Sequence, residues 1–344
     1  MKMYRRLLLW TVVSLGFQVL FLVFLDEFYL PQRTSNVEVV KYAEIGASKT
    51  SGQVSIPVGA VRIGISYDAS YASYMFDGKL YVIHTESGEK AEASEEGFPA
   101  SLYKWLPDRN MLIFSCEEEV NNMGVVSIKT YDADGGLVWS YPEITDLPAG
   151  SQVGDIQLST LTNLVYVKVV TGADRAEIYR FNIMEELVHV MAAGSDVEML
   201  LMNISDILLY RLDGASIKLR YDSSGEEREL DAGDCILLGS DAEDIVYLGE
   251  LDEKGNVAGI RYGTLDQIHE RKHYYAVLEK PCPAEHVVVT DNGGVFVVDK
   301  DTKTIFDLKN KTEITYKGEY AGIFNSFLLT TEGNMLYFDA IIND

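Results

Sequence analysis

VRIGISYDASYASYMFDGKLYVIHT, residues 61–85, decides how the chain is read. An apolar stretch runs into a turn that carries Asp68. A second stretch starts at Tyr71 and passes through Asp77-Gly78 to a third, KLYVIHT. Asp-Gly supplies the two positive φ angles of a two-residue hairpin, and Val, Ile and Tyr suit a pleated, half-buried surface. The order is strand, Asp-bearing turn, strand, tight hairpin, strand.

That order recurs along the chain. SLYKW-LPDRN-MLIFS, GDIQLS-TLTN-LVYVKVV, VEMLLM-NIS-DILLYR, CILLG-SDAED-IVYLGELD, HVVVT-DNG-GVFVVD and YAGIF-NS-FLLTT repeat it. The second strands start near Tyr71, Met111, Leu164, Ile207, Ile245, Val295 and Phe327, about 43 residues apart on average, within the range of propeller blades. Such units cannot each bury both faces alone. Packing them face to face around an axis covers the faces and leaves only short, protected edges. The expected fold is all-β, a β-propeller of seven blades, or six if the long second or fifth unit hides another boundary. Two stacked β-sandwiches also give many short strands, but do not require an Asp or Asn turn at one place in every unit.

The seventh unit holds three strands, whereas VEVVKY, Val37–Tyr42, alternates as a strand without a unit. The propeller is therefore expected over 37–344, closed by strand 37–42, which removes two exposed edges. Ala43 to Gln53 is rich in small and turn residues and reads as a loop.

ISYDASYASYMFDGKLYVIHTESGE and YKWLPDRNMLIFS resemble blades of TolB-type propellers and of the N-terminal propeller of dipeptidyl peptidase IV-like proteins, with Trp105, Pro107 and Asp108 as the best single copy of the turn. DIQLSTLTNLVYVKVV, IVYLGELDEKGN and IRYGTLDQ further resemble single-anchor envelope proteins of Gram-positive anaerobes. The resemblance implies fold and location. It does not imply peptidase activity, because those relatives carry Ser, Asp and His on a separate hydrolase domain, and this sequence has no G-x-S-x-G.

Leu7 to Leu25, LLLWTVVSLGFQVLFLVFL, is interrupted only by Thr11, Ser14 and Gln18. At about 1.5 Å per residue, roughly 19 residues nearly cross the ~30 Å hydrocarbon core. Lys2, Arg5 and Arg6 precede it, and Asp26 and Glu27 follow, which keeps the N-terminus cytoplasmic and exports the remainder. The expected division is a basic start and transmembrane signal anchor over 1–30, a linker over 31–36 and an extracytoplasmic propeller. A cleaved signal peptide fits less well, because the apolar run is long and no small-x-small processing site follows it.

Lys plus Arg number 29 against 53 Asp plus Glu, a net charge of -24. Such a surface repels phosphate backbones, so nucleic acid is not an expected partner. The odd set Cys116, Cys235 and Cys282 does not form a disulfide framework, although spacing permits one Cys116–Cys235 bridge. Buried single thiols are the expectation.

His269-Glu270-Arg271-Lys272-His273 is a literal H-E-x-x-H, which on a helix aims two imidazoles at one zinc. Its charged middle and the strand context expected after IRYG argue against that use. A strand would part the two rings by about 13 Å. Acidic turns beginning at Asp132, Asp252 and Asp299 resemble the starts of calcium loops but lack the Gly at position six and the bidentate Glu at twelve together, and read as hairpin turns. Cys116 to Glu119 reads as an acidic loop tipping a long hairpin. Tyr166, Tyr179, Tyr210, Tyr247 and Tyr337 fit blade packing, and Trp105 and Trp139 are few for a sugar-binding floor. No catalytic, cofactor-binding or metal-binding residue is nominated. The expectation is a non-enzymatic interaction module with an envelope-protein or cell-wall partner. The alternatives are a hydrolase or metal-dependent enzyme at the channel mouth and a cell-wall polymer binder.

Overall fold

The computed structural model describes residues 51–94, 99–182, 184–212, 214 and 216–341, together with Trp10, Ser14, Leu15, Gly16, Gln18 and Phe21, which are helical. The chain divides into two compact units, Met1–Glu44 and Ile45–Asp344. Most of Leu7–Leu25, and all of Val37–Tyr42, lie outside the described residues. Among the described residues, no helix is long and apolar enough to cross a membrane.

The second unit contains seven antiparallel sheets. Six are formed by consecutive strands over 61–92, 100–148, 152–193, 198–229, 235–282 and 287–315, and the seventh joins 319–340 to Ser51–Ser55. These are the blades of a seven-bladed β-propeller. First strands of neighbouring blades lie against one another, as Val61–Ile65 does against both Ala100–Trp105 and Glu319–Phe324, so they surround the axis.

The second strands explain why the repeat was visible. Side chains alternate across a strand, so a strand in a blade covered on both faces supplies two cores and must be apolar nearly throughout. In Leu164–Gly172, Val165, Val167 and Val169 enter the core between the second and third blades, while Leu164 and Tyr166 enter that between the third and fourth. Ile207 and Leu209 likewise face one gap, and Leu208 and Tyr210 the other. Seven hydrophobic cores among the described residues occupy the seven gaps.

Second strands begin at Tyr71, Met111, Leu164, Ile207, Val246, Val295 and Phe327, one residue from the expected start in a single case. Asp77 and Gly78 have φ of 53° and 73° and form the tight hairpin. Two readings change. The closing strand is Ser51–Ser55, pairing Ser51 with Asp339 through Ser55 with Met335, so the place expected for Val37–Tyr42 is filled by a strand that begins at the end of the expected loop. Val54 and Ile56, buried in the gap between the seventh and first blades, provide the apolar alternation there. Gly52 lacks the Cβ that would collide with the ring of Phe338. The acidic run after Cys116 is also strand: Met111–Val120 pairs residue for residue with Met123–Asp132, and Asn121 and Asn122, at φ 52° and 65°, make the turn. Glu117 is held inside by Ser101 and the Val153 amide at 3.0 Å.

Candidate functional site

The Asp- or Asn-bearing turns join each blade's first strand to its second. They gather at one end of the axis. Asp68 accepts hydrogen bonds from the Ser66 hydroxyl at 3.0 Å and the Ser70 amide at 2.8 Å, fixing its own turn. Neighbouring turns then hold one another. The Asn110 amide donates to Asp68 at 3.3 Å, and the Ser159 hydroxyl to the Asn203 carbonyl at 2.7 Å. Asp244 accepts the backbone amides of Asn203 at 2.6 Å and of Ile204 and Ser205 at 2.9 Å each. Ala242 donates its amide to the Asp291 carbonyl at 2.8 Å, and Asn292 its side chain to Ser326 at 2.8 Å. At these five junctions the turns thus act as fastenings that tie one blade to the next, although the Asn110 Oδ1 is buried without a partner.

Between the second and third blades, beside these turns, a cleft of about 320 Å³ opens. Leu106, Met111 and Leu158 contribute to an apolar floor; Trp139, 47% exposed, and Tyr141 stand in its wall. Thr130, Ser140, Thr160, Asn163 and Glu185 add polar side chains to the same lining. Here the polar atoms are not occupied. Among the described residues none of those five side chains, nor the Trp139 indole N–H, makes a hydrogen bond, and the Thr160 hydroxyl is buried without a partner. Asn163 and Glu185 have φ of 54° and 56°, the left-handed region that a Glu seldom adopts. Burial, with Glu185 adding to it, raises the Tyr141 pKa above the usual phenol value. Asn182 instead holds its own loop, accepting the Met184 and Glu186 amides at 3.0 Å.

At the axis itself, a cavity of about 170 Å³ is lined by Trp105, Thr290, Asp291 and Asn325, among others, from four blades. Asp291 is exposed toward this space, yet protein is packed closely around its carboxyl, and that desolvation pushes it up to about 6. Asp241 and Asp108 raise it further, and Lys104 opposes them. Lys104 is itself paired with Asp155 at 3.1 Å, across the second and third blades.

A third cleft of about 310 Å³, between the fifth and sixth blades, carries Tyr247, Tyr262 and Tyr274 in a stack with ring centres 5.6 and 5.4 Å apart. Burial raises the Asp241 pKa there, and its carboxylate accepts the Tyr247 hydroxyl at 3.2 Å. Tyr166 and Tyr210 pack between blades as expected.

The H-E-x-x-H stretch does not form a zinc helix. Thr264 and Gln267 build a capping box, which starts a short helix, Leu265–His269, where a strand was expected. Glu270 ends it and Arg271 turns left-handed at φ 57°, so His273 lies beyond the helix. Among the described residues, no group of three or more His, Cys, Asp or Glu is placed to hold a metal. The calcium-like turns use their carboxylates on themselves: Asp252 accepts the Lys254 and Asn256 amides at 2.8 and 2.9 Å, and Asp299 those of Asp301 and Thr302 at 3.0 and 3.1 Å. These bonds lower both pKa values. Cys116 and Cys235 are buried in different gaps and Cys282 is half-buried, with no disulfide among them.

No protein-family model and no curated protein matches the chain. Solved structures do. An oligogalacturonate lyase in complex with manganese aligns with a TM-score of 0.55 at 10% identity, over 85% of this chain and 91% of that one. A prolyl endopeptidase gives 0.53 at 13%, over 86% of this chain and 43% of its own, so this chain spans less than half of that enzyme. TolB from Acinetobacter baumannii gives 0.43 at 10%, over 84% and 63%. At these identities the first two likenesses show the propeller fold alone. Function has to be argued from the site.

Proposed function

We propose that the chain is a non-enzymatic binding propeller of the cell envelope, anchored by Leu7–Leu25 with residues 37–344 outside, and that it holds an envelope partner in the cleft between the second and third blades. The lining of the cleft carries this reading: Thr130, Trp139, Ser140, Asn163 and Glu185 converge there with their hydrogen-bonding capacity unused, whereas turn side chains such as Asp68, Asp244 and Asn292 are engaged with neighbouring turns. Ligand sites combine an apolar lining with a few convergent polar groups in this manner, often on loops held by a rigid scaffold. The apolar run and its charge bias support the anchor.

The test is recovery of bound material from native envelopes by the full chain. The reading expects ligand of unchanged mass, retained less well by Asn163→Ala and Ser140→Ala. Ligand returned as cleaved fragments would replace it with an enzymatic one. Protease added to intact cells is expected to remove the propeller from the membrane fraction; a mature form starting near Ser35 in the medium would contradict the anchor.

The raised carboxyl of Asp291 at the channel mouth favours a second reading, a hydrolase using Asp291 as general acid. Asp291→Asn would then abolish turnover without affecting cleft binding.

A further inference from the structure

Resting on that binding reading, we infer that the cleft between the second and third blades is a saccharide subsite that takes a neutral chain bearing acetamido groups. The free groups in the cleft select this chemistry. The hydroxyls of Thr130 and Ser140 and the amide of Asn163 are uncharged, and each hydroxyl both donates and accepts through a single atom. They match a ligand that offers several hydroxyls in fixed directions on a rigid ring. The exposed Trp139 indole supplies a flat apolar face for the C–H side of such a ring, with its N–H still available. A volume of about 320 Å³ lies at the small end of ligand pockets, suiting one or two sugar units and leaving the remainder of a polymer outside.

Charge and floor narrow the class. Arg109 is forked onto Asp108 at 2.9 and 2.7 Å, which balances its charge, and Glu185 leaves the lip negative. Within a chain of net charge -24, uronate or phosphate polymers meet repulsion here. Leu106, Met111 and Leu158 below the polar lip need an apolar substituent as well as a sugar ring, and the methyl of an acetamido group provides one. Its amide pairs with Asn163.

The experiment is calorimetric titration of the full chain with three probes: tri-N-acetylchitotriose, maltotriose and tri-galacturonate. Tri-N-acetylchitotriose is expected to bind, maltotriose at least about fivefold more weakly, and tri-galacturonate not at all. Trp139→Ala should weaken binding about tenfold, and Trp139→Phe should restore most of it. Ser140→Ala should weaken it severalfold, with thermal melting reporting that each variant is folded. Absence of binding by the folded wild type, preference for tri-galacturonate, or indifference to Trp139→Ala would each overturn the assignment. Native envelopes separate the two levels. If they yield a ligand retained through Asn163 while all three probes fail, the saccharide class falls and the binding reading stands.

Discussion

Gly52 lies in the path of Phe338: the aromatic ring of the last strand fills the space that any Cβ at position 52 would need. This contact joins the entering chain to the seventh blade, where Gly52 pairs with Phe338 in register. Gly52→Val should therefore overpack the closure and cost about 1–3 kcal/mol. Phe338→Ala alone should cost about 3–5 kcal/mol. Together they should cost less than the sum, because removing the ring makes room for the new side chain. Denaturant unfolding of the four species measures this coupling; strict additivity would mean that Ser51–Ser55 does not close the ring.

Asp244 fastens the fourth blade to the fifth by accepting three consecutive backbone amides, those of Asn203, Ile204 and Ser205. Asp244→Ala should lose about 2–4 kcal/mol of stability, since charged hydrogen bonds vanish and amides lose their acceptors. Asp244→Asn keeps one acceptor and tolerates the φ of 60°, so it should fall between. Hydrogen exchange should quicken first at 203–205. Uniform exchange across all seven turns in Asp244→Ala would count against a local fastening.

Asp291 gives a pH dependence whose sign is fixed by its shift. Its carboxyl titrates near 6 in the folded protein against 3.8 ordinarily, so folding takes up a proton between those values. The ionised form opposes folding above about pH 6, and this opposition fades as the pH falls through 6 toward 3.8. Asp291→Asn should melt higher than wild type at pH 7.5 and equally at pH 4. A variant that melts lower at pH 7.5 would show that the charge is stabilised by Lys104 more than it is disfavoured by desolvation.

His269 and His273 belong to the end of a short helix and the residues after it, not to two turns of one helix. Replacing His269 by Ala should leave metal content unchanged after purification without added zinc. Stoichiometric zinc lost in His269→Ala would contradict the geometry.

The fold was legible because second strands such as Leu164–Gly172 are buried on both faces and carry a continuous apolar signal, with turn chemistry marking each repeat. Closure was misplaced by local pattern. Val37–Tyr42 alternates more clearly than Ser51–Ser55, whose fit depends on a glycine beneath Phe338, a partner 286 positions away in the sequence. Glu117 misled for a similar reason: a carboxylate looks solvated until Ser101 and the Val153 amide from the next blade close on it. The cleft was hardest to see. Trp139 was noticed as an aromatic residue, but Thr160, Asn163 and Glu185 come from the neighbouring blade and have no shared spacing with it. Only packing of the second blade against the third brings them together.

Oxidative footprinting of Trp139 tests the binding cleft most directly. In the full chain alone, Trp139 should oxidise readily, whereas Trp105, half-buried and donating its indole N–H to Ser73 at 2.7 Å, should resist. With saturating native envelope fragments, Trp139 should become protected, and Asn163→Ala should reduce that protection while Trp105 stays unchanged. Oxidation of Trp139 at one rate with and without bound envelope material would contradict the account.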